Sequence, residues 1–139
     1  GTHGVLALTG ALLLKAALVN ALGRPEALFA MPVFSRLAMV YGAAFSKSAR
    51  QTGLGYVFIK GTTGKDALFA SLITAAAAFY PIGIAAAAAA VTVTIGGSLV
   101  FVRYCSRKIG GMTGDTFGAL GELASLGLLA VYCLMFYLV

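Results

Sequence analysis

Charge is scarce in this chain. Its 139 residues include four acids, Glu26, Asp66, Asp115 and Glu122, against ten lysines and arginines. Soluble domains carry roughly 25% charged residues, whereas here the share is 10%, with 60% hydrophobic residues and a mean hydropathy of +0.97. So few polar side chains cannot clothe a water-facing surface, and lipid must cover part of it. An ordinary soluble domain is thereby excluded. The expectation is an all-α protein, a polytopic transmembrane helix bundle forming one domain over residues 1–139.

Cysteine and histidine are scarcer still, at two residues and one. Cys105 falls in a basic stretch and Cys133 deep in the last apolar run, so the two sit at different depths and a disulfide is not expected. His3 is alone near the chain end. No Cys/His spacing suggests zinc and no nucleophile triad is visible. No secretory leader is expected in this stretch: the first apolar run starts almost at residue 1, without a basic leader or a small-residue cleavage site. The start at Gly1 fits a truncated or processed product.

What the chain has in abundance is apolar runs. Helices are predicted near 4–22, 27–45, 66–80, 82–102 and 116–139, most of them near the length that spans a hydrocarbon core of about 30 Å at 1.5 Å per residue. Pro32 is expected to delay or break the start of the second, and Pro81 with Gly83 to turn the third into the fourth. Within the fourth, Ala85 to Ala90 reads as a packing face, since small side chains let helices approach closely in a bilayer.

The formal charge is +6, and seven of the ten bases lie in two stretches, 46–65 and 103–114. Bases gathered between apolar runs mark cytoplasmic loops and argue against a nucleic-acid partner. Two crossings between these loops return both to one face. Five crossings then put the N-terminus on the cytoplasmic side, with the turn at 23–26 and the C-terminus outside. Within the first loop, residues 55–59 are apolar enough to dip into the interface or pack on the bundle.

Chemistry concentrates where the second loop enters the last helix. Gly110, Gly111 and Gly114, with Thr113 among them, can bend the backbone and present N–H groups to phosphate at a helix N-terminus. Asp115 there serves either as a helix cap or as a ligand for a divalent cation. Glu122 falls seven residues later on nearly the same helix face, with Gly118 between them where something is expected to come close. Lys15 and Arg36 lie roughly 15 Å below the loop face and Glu122 roughly 10 Å at 1.5 Å per residue, so the three could meet. Intramembrane charges ordinarily face a site or a partner; a structural ion pair or snorkelling is the alternative. The guanidinium of Arg36 matches phosphate geometry. Arg50, Lys60 and Lys65 set topology and can also meet a polyanionic substrate.

The run Gly110-Gly111-Met112-Thr113-Gly114-Asp115-Thr116-Phe117-Gly118-Ala119, followed by Glu122, resembles the C-terminal signature of the cobalamin synthase (adenosylcobinamide-GDP ribazoletransferase) family. Gly4-Val5-Leu6-Ala7-Leu8 with Leu12-Leu13-Leu14-Lys15, then Ser35-Arg36, then Arg50-Gln51-Thr52-Gly53-Leu54-Gly55, are similar to further landmarks of that family in the same order. The resemblance implies a transferase of cobalamin biosynthesis in a prokaryotic inner membrane. Such an enzyme joins adenosylcobinamide-GDP to α-ribazole, releases GMP and uses Mg2+. It would give catalytic roles to Asp115, Arg36 and Glu122, substrate or phosphate contacts to Gly110, Gly111, Thr113, Gly114, Arg50 and Lys15, and the metal to Asp115. The family's upstream aspartate-rich motif, of the DGxxD kind, has no counterpart here, so this stretch is expected to supply one wall of a site and to be inactive alone. Rival readings are a CDP-alcohol-type phosphotransferase, which would need its own aspartate-rich helix, and a small transporter or channel subunit with Lys15, Arg36 and Glu122 along a path. A membrane scaffold without chemistry would leave the glycine loop unexplained. Self-association is left open.

Overall fold

A computed structural model describes residues 2–138. Six helices follow one another: α1 (Thr2–Leu22), α2 (Glu26–Ala44), α3 (Leu54–Gly61), α4 (Gly64–Ile82), α5 (Ile84–Ile109) and α6 (Gly114–Leu138). The all-α bundle expected from composition is what forms, and α1, α2, α5 and α6 are long and apolar enough to cross a membrane.

Helix α4, expected as a fifth crossing, is not among these four: Lys65 and Asp66 open it and Tyr80 and Pro81 lie near its end. It nevertheless runs the same 19 residues as α2 and packs along both α2 and α5. Gly83, with φ +79, is the whole connection between α4 and α5. A left-handed conformation there costs glycine nothing and a side chain something, which is why the chain reverses at this position.

Two boundaries depart from expectation. Pro32 neither delays nor breaks α2, which is helical from Glu26. Proline removes one backbone donor, and its exposed position on α2 leaves the packed face continuous. The second basic stretch, expected as loop from residue 103, is helical as far as Ile109, so Arg103, Arg107 and Lys108 ride on the last turns of α5. Cations there suit the negative end of the helix dipole. Only residues 110–113 remain as connection.

Helix α2 is the centre of the bundle, touching α3, α4, α5 and α6. Without a hydrophobic drive between helices in lipid, close van der Waals packing holds such a bundle together. The α2–α6 contact shows how close: a Cβ at Gly121 would stand 2.6 Å from Ser35 Oγ, and one at Gly42 2.8 Å from Leu120 Cδ2. The alanine run behaves as anticipated, with Ala86, Ala87 and Ala90 buried against Ala27, Ala30 and Leu128. A second core nearer the loops joins Ala38, Val102, Met112, Phe117 and Leu120.

Helix α1 is peripheral. Residues 4–10 are exposed, and the stripe Ala11, Lys15, Leu18, Val19 and Leu22 turns inward, at helical spacing, onto α6. Tyr137 Oη donates to the Ala21 carbonyl over 2.9 Å, and the Arg24 guanidinium lies 4.6 Å from the centroid of the Phe136 ring. Both contacts pin the end of α1 farthest from the basic loops. Midway, Lys15 forms an ion pair with Glu122, so these intramembrane charges do meet.

Removing one partner strands the other in a low-dielectric setting. Lys15→Ala is expected to lower stability by about 2 kcal/mol, read as a lower unfolding midpoint in detergent. The exchange Lys15→Glu with Glu122→Lys should recover most of the loss; an exchange as unstable as the single variant would show that the pair does not hold α1.

Candidate functional site

The two loops at the basic end are tied by backbone. Met112 N donates to the Lys47 carbonyl at 2.8 Å and Ala49 N donates to the Met112 carbonyl at 3.0 Å, an isolated parallel bridge centred on Ser48 and Met112. Both loops therefore share one face, as the charge pattern required. Two glycines shape the second: Gly110 adopts φ +80 to end α5, and Gly111 lies so close to the first loop that a Cβ would collide with the Lys47 carbonyl oxygen and stand 2.8 Å from Ala49 N. Expected as phosphate contacts, Gly110 and Gly111 serve the turn and the clasp.

At the start of α6, the capping is done by threonines. Thr113 N donates to Thr116 Oγ1 at 2.8 Å, and Thr116 N to Thr113 Oγ1 at 3.4 Å. This reciprocal pair satisfies donors that a helix start leaves open. Asp115 is therefore not the cap; it sits one residue inside, exposed. The spacing Thr-x-x-Thr was a legible signal of this, overshadowed by the more familiar capping aspartate.

The four acids divide accordingly. Asp66 accepts from Thr63 N and Thr63 Oγ1, each at 2.7 Å, Glu122 is paired with Lys15, and Glu26 lies at the far end of the bundle, where α2 begins. Asp115 is left as the carboxylate at the loop face without a protein partner among the described residues. It is also at the positive end of the α6 dipole, where an anion is favoured.

Asp115 and Arg50 line the same cavity of about 220 Å³, together with Thr113, Gly114 and, from α3, Gly55 and Tyr56. Ser48 Oγ donates to the Arg50 carbonyl at 2.5 Å, holding the turn that presents Arg50. Helix α3 closes one side by laying Gly55 against α6, where a Cβ would stand 2.9 Å from Gly114 N. Thr52, inside the Arg50 to Gly55 landmark but given no role there, and Tyr56, just beyond it, are also on the lining. A liquid-water share of volume is about 30 Å³, so this space suits a phosphate or two rather than a whole nucleotide.

A larger cavity of about 770 Å³ adjoins it, sharing Leu54, Gly55 and Gly114. Its walls are Met39, Val40, Val57, Phe58 and Phe117, and Arg36 is its one charge. Arg36 does not join Lys15 and Glu122; its Nη1 donates to Met39 Sδ at 3.3 Å. The three charges thus form no common row. Gly118, where a close approach was expected, has no neighbour within 4 Å; that role belongs to Gly121. Asp115 and Gly118 are both exposed.

A family model described as cobalamin-5-phosphate synthase matches residues 1–133. Curated relatives carry the name adenosylcobinamide-GDP ribazoletransferase. The relative from Alkaliphilus metalliredigens is 39% identical over 128 residues, covering 88% of this chain and 49% of its own length. That from Caldanaerobacter subterraneus subsp. tengcongensis is 35% identical over 130 residues, 91% of this chain and 52% of its own. A Roseiflexus relative is 38% identical over 136 residues, 96% and 50% respectively. The chain thus spans about half the length of the curated relatives it matches. No solved structure matches.

The clasp makes Gly111→Ala the sharpest probe of the site's frame. The added methyl must push the 46–53 loop away, at a cost of roughly 1–3 kcal/mol as in overpacked interiors. Limited proteolysis should then cut within that loop much faster than in the parent, while Gly118→Ala, which meets open space, leaves the rate unchanged.

Proposed function

The chain belongs to the cobalamin-5-phosphate synthase family, and on that footing we propose that it builds a wall of the site joining adenosylcobinamide-GDP to α-ribazole in cobalamin biosynthesis. The observation that carries this reading is the small cavity where Arg50 and an uncommitted Asp115 meet at the N-terminus of α6. Displacement at phosphorus needs little covalent help from protein; it needs positioned charge and excluded water. The P–O bond to GMP breaks, a bond from the same phosphorus to the ribazole oxygen forms, and the hydroxyl proton leaves.

In this reading Arg50 and the N–H groups at the start of α6 hold the pyrophosphate. Arg36 supplies the one cation in the adjoining apolar cavity, where a second phosphate oxygen or the leaving GMP is steadied. Thr113 keeps the helix start fixed. Lys15 and Glu122, neutralising each other, take a positioning role by holding α1 against α6.

Among the described residues no cluster of three His, Cys, Asp or Glu side chains exists, which does not suit an all-protein metal cage. It suits Mg2+ well enough, because that ion keeps several waters and uses one or two carboxylates with substrate phosphates. Asp115 has the right chemistry to hold it. Bound there, Mg2+ would neutralise charge growing on the leaving phosphate. The exposed bases of the loop face support a cytoplasmic setting at the inner membrane, as the positive-inside pattern would have it.

The test joins this chain to the N-terminal half of the Caldanaerobacter relative and expresses the fusion in cells lacking ribazoletransferase. The fusion is expected to restore cobalamin formation. Asp115→Asn should lower the rate on the order of 10²-fold or more, the loss typical of a removed charge-stabilising group. A fusion present in the membrane whose Asp115→Asn form works as well as the parent would remove Asp115 from the site.

A further inference from the structure

Helix α3 has three faces that differ in chemistry. Gly55 and Ile59 turn inward, the one against Gly114 and the other onto the loop-side core. Tyr56 and Lys60 share a second face, the ammonium 5.9 Å from the ring centroid. The third face is apolar and largely bare: Leu54 is 89% exposed, Val57 65% and Phe58 40%. For a helix of eight residues this is a large open apolar surface.

Its level in the bundle is fixed by its contacts. Phe58 meets Phe117 edge to face with centroids 5.4 Å apart, and Gly55 abuts Gly114, so α3 lies within the first turn of α6, where the spanning helices end. Lys47, Arg50, Lys60, Lys65, Arg103, Arg107 and Lys108 are all exposed at this same end. Of the acids there, Asp66 is bound by Thr63, leaving Asp115 alone. Tyr104, 58% exposed, adds an aromatic at the height where aromatic belts form.

We infer that α3 is an interfacial helix seated in the anionic leaflet of the membrane, with Leu54, Val57 and Phe58 among the acyl chains and Lys60, Lys65 and Lys47 among the acidic headgroups. Charge complementarity selects this occupant: an apolar strip flanked by bases is the pattern that binds negatively charged lipid surfaces. Because Leu54, Val57 and Phe58 also rim the cavity that holds Arg36, lipid seated on them closes that cavity to water from its open side. The inference concerns the bilayer and stands apart from the reaction proposed above.

The chain contains no tryptophan, so a single introduced one reports without background. Val57→Trp and, as an independent second site, Leu54→Trp are reconstituted as the full chain in vesicles. The lipids are phosphatidylcholine alone or with phosphatidylglycerol, brominated on the acyl chain near the headgroup. An apolar face sunk about 5–10 Å into the boundary predicts that emission from both falls by roughly half, while Lys60→Trp is quenched much less. Quenching should be stronger with phosphatidylglycerol, and the difference should shrink as salt rises. Emission at 54 and 57 that ignores brominated lipid overturns the inference, whether aqueous iodide quenches it, meaning the face is in water, or does not, meaning protein covers it. Equal quenching in both lipids at low salt overturns the role of the anionic leaflet.

Discussion

Met112 exchanges two backbone hydrogen bonds with the segment around Ser48, and the arrangement of everything at the basic end depends on them. Neither loop has enough side chain to find the other by hydrophobic packing; glycine and small polar residues dominate both. The clasp works because Met112 is fully buried and Gly111 lets backbone approach backbone. With the loops fixed together, Arg50 from one and Asp115 from the other face a common cavity, and α3 is laid across the start of α6. A parallel bridge of one residue pair thus converts two connections distant in sequence into a single surface.

Below that surface the bundle solves a different problem. Helices in lipid gain nothing by hiding apolar area from one another, so shape has to do the work. Gly42 and Gly121 bring α2 and α6 together, and the alanine run brings α5 onto α2. Some polar groups within the span are partnered internally: Tyr41 Oη and Ser71 Oγ lie 3.0 Å apart across α2 and α4, and Ser98 Oγ donates back to the Thr94 carbonyl. The intramembrane carboxylate is balanced by a lysine from the next helix. The acids therefore divide, three committed to structure or remote from the loops and one, Asp115, without a protein partner at the loop face among the described residues.

Much of this was legible in the sequence, for identifiable reasons. Long apolar runs and loop charge follow from the physics of the bilayer, so the helices and the shared side of the two loops could be read directly. The Lys15–Glu122 meeting followed from depth alone. Less legible were features set by tertiary contact. Helix α5 continues through Arg103 to Ile109 because helix propensity and dipole favour those bases, while hydropathy alone ended it at 102. Pro32 was overread, since a proline's cost depends on which face it occupies. Asp115 could not be freed from a capping role until Thr113 and Thr116 were seen to bond each other. Arg36 was at the right depth to join the ion pair, but depth does not fix the direction in which a helix presents a side chain.

The account stands or falls on whether the 46–53 and 110–115 segments form one pocket. The most direct measurement places cysteines at Arg50 and Asp115, with Cys105 and Cys133 replaced by alanine, and treats membranes with a short bifunctional thiol crosslinker. The account predicts an intramolecular link that survives dilution with cysteine-free chain. Thiols that each accept a monofunctional reagent but never become joined would contradict it, because the two residues would then belong to separate surfaces.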